Sequence, residues 1–208
     1  MSLKLKVCGM RDPENLEQLV SLGPDYIGFI FYGPSKRFVG NLDPELTKQI
    51  PAGIKATGVF VDESLEEVVH LAQRYDLKAL QLQGKESPEY CMLLKQQLAD
   101  IEVIKAFGVN DQFTFDVLEP YQDVVDYFLF DTQTADHGGS GKTFDWTLLQ
   151  NYQLQIPYFL SGGIGISELP MIKAIADPRL HAVDVNSRFE SAPAMKDIEL
   201  LTTFKNQL

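Results

Sequence analysis

Two cysteines in 208 residues cannot build a disulfide framework, so a small secreted fold held by several bridges is excluded. Basic charge is scarce as well. The 18 Lys and Arg are outnumbered by 29 Asp and Glu, and the net charge is −11 with pI near 4.7. That balance argues against nucleic acid or an anionic membrane as partner. An anionic ligand must then rely on a few local cations and on backbone dipoles. No apolar run approaches the roughly 18 residues of a spanning helix. The amino terminus, MSLKLKVCGM, lacks the long apolar stretch of a signal peptide and reads as a strand. The expected setting is a reducing cytoplasm. His70, His137 and His181 show no ligand spacing, so no metal is expected. No Gly-x-Gly-x-x-Gly follows a strand candidate, so the dinucleotide fingerprint is missing too.

What is present is an unbroken alternation. Strand candidates are Leu3–Val7, Tyr26–Phe31, Ala56–Val61, Ala79–Leu82, Glu102–Phe107, Tyr127–Phe130, Pro157–Leu160 and Ala182–Val185. Most are short apolar runs, as expected of parallel strands covered on both faces. Helix starts fall between them. Asp12-Pro13-Glu14 and Asp43-Pro44-Glu45 carry an N-cap, a proline at N1 and a first-turn acid. Ser64-x-x-Glu67 reads as a capping box, Ser87-Pro88-Glu89 opens another helix, and Ser167–Ala176 and Asp197–Lys205 supply the last two. Eight strands alternating with eight helical segments, and no linker, indicate one α/β domain over residues 1–208, a (β/α)8 barrel. The chain is shorter than the usual ~250 residues, so the loops must be short. A monomer is expected, since no interface segment stands out.

In such a barrel the chemistry sits at the C-terminal ends of the strands. Asp131 ends an apolar run and precedes the loop Gly138–Gly141; it is either a structural aspartate capping that loop or an acid suited to proton chemistry on a phosphorylated substrate. As a general acid it must keep its proton near pH 7, which desolvation would favour. Cys8, between KLKV and Gly9, is a buried hydrophobe or a base; as a base it needs its pKa lowered by nearby cations or a helix terminus. Gly141-Lys142-Thr143 ends like a Walker loop, but Asp136 stands where the first glycine belongs. Phosphate is instead expected at Ser161-Gly162-Gly163 and Asn186-Ser187, after strands seven and eight. Arg37, among aromatics in FYGPSKRFV, is a surface arginine or a fork for a carboxylate. Asp184 reads as a brace inside the barrel, and Cys91 and Trp146 as core.

The fragments KVCGMRDPEN, DYIGFIFYGPSKRFV, TGVFVDES, LQLQGKE, FDTQTADHGGSGKTFDW, FLSGGI and AVDVNSRFE, in this order, closely resemble the phosphoribosylanthranilate isomerase family. The resemblance implies a cofactor-free Amadori rearrangement of a phosphorylated aromatic aminosugar in tryptophan biosynthesis. It makes Asp131 the general acid that opens the ring and Cys8 the base at C2 of the sugar. Arg37 would hold the anthranilate carboxylate, and Gln83 also faces the substrate. Gly141, Gly162, Gly163, Asn186 and Ser187 would hold the phosphate. The chain departs from the family at four places. Gln83 stands for the usual histidine, Gly33 and Lys36 for prolines, and Arg188 for a common glycine.

Overall fold

The structure is a computed structural model and describes residues 3–133 and 143–208. Eight parallel strands close on themselves: β1 (Lys4–Cys8), β2 (Tyr26–Ile30), β3 (Lys55–Phe60), β4 (Ala79–Leu82), β5 (Glu102–Val109), β6 (Tyr127–Thr132), β7 (Tyr158–Leu160) and β8 (Leu180–Val185), with β8 returning to β1. The barrel forms because these runs are apolar on both faces. Their outer side chains meet the helices, and the inner ones, Tyr26, Ala79, Ile104, Ala106, Leu129, Phe159 and Ala182, make a separate packed cluster.

The helices begin where their caps say. Asp12 accepts from Asn15 N ahead of α1 (Pro13–Leu22), Asp43 from Glu45 N ahead of α2 (Pro44–Lys48), and Ser64 from Glu67 N ahead of α3 (Leu65–Arg74). Ser87 caps α4 (Pro88–Gln97), and Asp197 caps α6 (Ile198–Lys205). Gly23, with φ of 68°, closes α1 in the left-handed region that glycine enters without a Cβ clash.

Three features differ from expectation. The helical segments after β5 and β6, for which no start signal was named, are 3-10 helices at Phe115–Tyr121 and Trp146–Asn151. Pro120 removes an interior N–H donor from the first, and Asp145 ties up the N–H and hydroxyl of Thr147 at the start of the second. The helix expected at Ser167–Ala176 is a 3-10 turn at Ile166–Glu168 running into α5 (Leu169–Ala174). A two-stranded antiparallel hairpin, β9 (Glu190–Ala192) with β10 (Met195–Lys196), follows β8 and was not expected at all. It is anchored to α1, since Asn15 Oδ1 accepts from Lys196 N at 2.7 Å and Asn15 Nδ2 donates to Lys196 O at 2.9 Å.

Candidate active site

Strand parity turns Lys6 and Cys8 of β1, Gln81 of β4, Asp131 of β6 and Asp184 of β8 toward the barrel's C-terminal mouth. Cys8, Gln81, Asp131 and Asp184 line a cavity of about 750 Å³ there. Tyr32, Lys36, Arg37, Gln83, Ser161, Gly162, Gly163, Asn186, Ser187 and Arg188 also line it. Three cations, Lys36, Arg37 and Arg188, are among the residues that line it.

Asp131 Oδ1 accepts from Thr132 N at 2.8 Å, and Gln83 Nε2 approaches Oδ2 at 3.5 Å. Gln83 is oriented in turn by Gln81, whose Nε2 donates to Gln83 Oε1 at 2.6 Å. Burial and the nearby Asp184 carboxylate push Asp131 up to about 6, against the partial offset of the Thr132 bond. A carboxyl group so placed carries a transferable proton closer to neutral pH than an exposed aspartate does.

Cys8 is buried, and space for its sulfur exists because β2 has glycine opposite. A Cβ on Gly28 would lie 2.7 Å from Sγ. Beneath it Lys6 Nζ pairs with Asp184 Oδ2 at 2.9 Å, both out of solvent. Burial alone would lower Lys6, but Asp184 and Cys8 together outweigh it and raise the ammonium above its usual range. The lowering that a base role would call for is not found at Cys8. Burial pushes the thiol up, and the charges of Lys6 and Lys196 offset only part of that rise.

Arg37 is not a solvated surface side chain. Its Nε donates to Glu190 Oε1 and Oε2 at 2.9 and 3.0 Å, and its Nη2 to Oε2 at 2.6 Å. Lys196 Nζ joins the same carboxylate at 2.6 Å and Asn186 Oδ1 at 2.7 Å. Burial would raise Glu190, yet the Arg37 bonds and the Lys196 charge prevail and hold it below the usual range.

The turn after β7 has Gly162 and Gly163 at φ of 91° and 65°, both left-handed. A Cβ on Gly162 would stand 2.3 Å from Thr132 Oγ1, 2.6 Å from Thr132 N and 2.9 Å from Asp131 Oδ1. Gly162→Ala is therefore expected to shift Asp131 and to lower kcat about 100-fold. It should cost about 1–3 kcal/mol of stability. Steady-state kinetics beside thermal unfolding check this, and wild-type kcat in the alanine variant would show that the turn does not locate the acid. Asn186, Ser187 and Arg188, after the adjacent strand β8, line the same cavity, and Arg188 adjoins Gly165. Gly141 and the rest of the loop Gly138–Gly141, like His137, lie outside the described residues.

The structure thus gathers Cys8, Arg37, Gln83, Asp131, Gly162, Gly163, Asn186 and Ser187 around one cavity. Missed from sequence were Gly28, Lys6, Glu190 and Lys196. A lysine in phase with Cys8 in KLKVC, and a glycine inside the apolar run YIGFI, were the available signals. Trp146 packs on the core only in part, with its Nε1 buried and unpartnered. Among the described residues no group of His, Cys, Asp or Glu has metal-binding geometry. None of the described helices is long and apolar enough to cross a membrane.

A closed parallel barrel with ionisable groups converging at its C-terminal mouth defines a (β/α)8-barrel enzyme. Residues 5–207 match the family described as N-(5'phosphoribosyl)anthranilate (PRA) isomerase, and the chain belongs to that family. The N-(5'-phosphoribosyl)anthranilate isomerase of Parabacteroides distasonis is 42% identical over 206 residues, covering 98% of this chain and 92% of the relative. The crystal structure of phosphoribosyl anthranilate isomerase from Thermotoga maritima superposes with a TM-score of 0.86 at 32% identity, covering 99% of this chain and 98% of that one. A further isomerase, solved in complex with reduced 1-(o-carboxyphenylamino)-1-deoxyribulose 5-phosphate, has a TM-score of 0.82 at 28% identity, with the same coverage.

Proposed function

We propose that this barrel catalyses the Amadori rearrangement of N-(5'-phosphoribosyl)anthranilate to 1-(2-carboxyphenylamino)-1-deoxyribulose 5-phosphate, a step of tryptophan biosynthesis. Asp131 is the general acid, Cys8 the general base, and no cofactor takes part. One observation carries the reading: an acid held near pKa 6 and a thiol reach one cavity from β6 and β1. Cations lie along that cavity, and a double-glycine turn borders it.

Asp131 gives its proton to the furanose ring oxygen as the anthranilate nitrogen's lone pair expels it. The ring opens to an iminium ion. That cation acidifies the C2 hydrogen, which Cys8 removes as a proton, and the freed electron pair forms the C1–C2 double bond and neutralises the nitrogen. The enolamine then gains a proton at C1 and loses one from its C2 hydroxyl, giving the ketone. The substrate's own nitrogen is the electron sink. Arg37 meets the anthranilate carboxylate, and Gln83 keeps Asp131 facing the sugar. The backbone N–H groups at Gly162, Gly163, Asn186 and Ser187 receive the phosphate, and the family resemblance adds Gly141. On this reading the unit is one domain over residues 1–208, acting as a cytoplasmic monomer.

The test uses the fluorescence of the substrate, generated in situ, with purified protein and no added metal. The expected result is loss of fluorescence far faster than the spontaneous decay, with the aminodeoxyribulose phosphate as sole product. A folded protein that left the decay unchanged would end this reading.

A further inference from the structure

We propose that Glu190, fixed by Lys196, is a positioning residue that aims Arg37 at the aromatic carboxylate of the substrate. This rests on the carboxylate role given to Arg37 above. A guanidinium offers its five N–H donors along planar edges, and a carboxylate is held best by two parallel bonds from one edge. Glu190 occupies the Nε/Nη2 edge of Arg37 through three contacts of 2.6 to 3.0 Å. The Nη1/Nη2 edge is then the one left for a second carboxylate, and Arg37 is part of the cavity wall. Clamping one edge of a rigid plane sets the direction of the other.

Glu190 is itself over-determined. Lys196 Nζ and Ala194 N both donate to its Oε1, at 2.6 and 3.1 Å. The Lys196 side chain is wholly buried and that of Glu190 is 4% exposed. Lys196 is pinned through its backbone to Asn15 of α1 and through its ammonium to Asn186. The chain from α1 to Arg37 therefore contains no loose member. Gly9 permits the close approach: at φ of 84°, its Cβ would come within 2.8 Å of Arg37 Cδ and 3.0 Å of Asn186 Oδ1.

Charge supports the same role. Two cations surround one carboxylate, so the cluster presents one net positive charge where an anion arrives. Buried ion pairs add little net stability compared with apolar packing, so a cluster this elaborate is better explained by orientation than by stability.

The experiment measures the affinity of reduced 1-(o-carboxyphenylamino)-1-deoxyribulose 5-phosphate and of its counterpart lacking the carboxylate. It uses wild type, Arg37→Ala, Glu190→Gln and the double variant. Arg37→Ala and Glu190→Gln are each expected to weaken the carboxylated compound about tenfold or more, leave the other within about twofold, and combine without adding. In turnover, KM of Glu190→Gln should rise more than kcat falls. Wild-type affinity in Glu190→Gln, or losses that multiply in the double variant, would overturn the positioning role. Wild-type affinity in Arg37→Ala would instead remove the carboxylate site, and the proposal with it. Glu190→Asp guards against misfolding, because it keeps the charge beside Lys196 and withdraws it from Arg37. It should show the same selective loss, and an equal loss for both compounds would count against the proposal.

Discussion

Asp131→Asn is expected to lose at least about 1000-fold in kcat and, at pH 8, to be more stable than wild type. The two effects have one origin. Burial and the Asp184 charge raise Asp131 from 3.8 to about 6, so the folded protein binds this proton more tightly than the unfolded chain does. Stability from the protonated carboxyl is complete below about pH 4 and is lost as pH rises through 6. At about 1.4 kcal/mol per unit, the loss approaches 3 kcal/mol, and the partial exposure of Asp131 lowers it toward 1 kcal/mol. Asparagine does not ionise and escapes that loss, while its Oδ1 still accepts from Thr132 N as the aspartate does. The variant's advantage in thermal unfolding should be absent at pH 4, emerge between pH 4 and 6, and reach a few degrees at pH 8. Equal melting temperatures across that range would mean that Asp131 titrates as an ordinary exposed carboxylate. Retention of a tenth of the activity would remove it as the acid.

The barrel was legible because its signals are local. Apolar runs bounded by polar turns mark all eight strands, and a cap is a short-range hydrogen bond that Asp12, Asp43, Ser64, Ser87 and Asp197 announce by residue type. Cys8 and Asp131 were visible because strand ends are where a barrel keeps its chemistry. The partners of Arg37 were not. In RFESAPAMKD, Glu190 and Lys196 look like the solvated charges of a surface turn. Only closure of the barrel brings Glu190 against a guanidinium 153 residues earlier in the chain. For Cys8 the sequence offers both burial and nearby cations, but not their balance, and in the fold burial outweighs Lys6 and Lys196. The 3-10 helix at Phe115–Tyr121 was foreshadowed by Pro120, which an alternation of apolar and polar residues hides.

Cys8→Ser should cost about 1000-fold or more in kcat/KM while leaving affinity for the reduced product analogue within about twofold. A serine hydroxyl fits the space Gly28 provides for sulfur, so the loss reports chemistry rather than packing. It is a far weaker acid than a thiol and supplies almost no conjugate base at any working pH. The wild-type pH profile carries the same signature. With Asp131 near 6 and Cys8 above its ordinary range, the reactive form, carboxyl protonated and thiol ionised, is the minority form. As pH rises toward 6, Asp131 keeps its proton and the thiolate grows, so kcat/KM should climb about tenfold per unit. Above 6 the protonated carboxyl declines as fast as the thiolate increases, and the profile should flatten until the thiol's own pKa is passed. A high-pKa thiolate is also the stronger base, which suits removal of a carbon-bound proton. Profiles of kcat/KM between pH 4 and 10 test this: a maximum below pH 6 followed by steady decline would mean that the base titrates below Asp131, and near-wild-type turnover by Cys8→Ser would move the base to another group in the cavity.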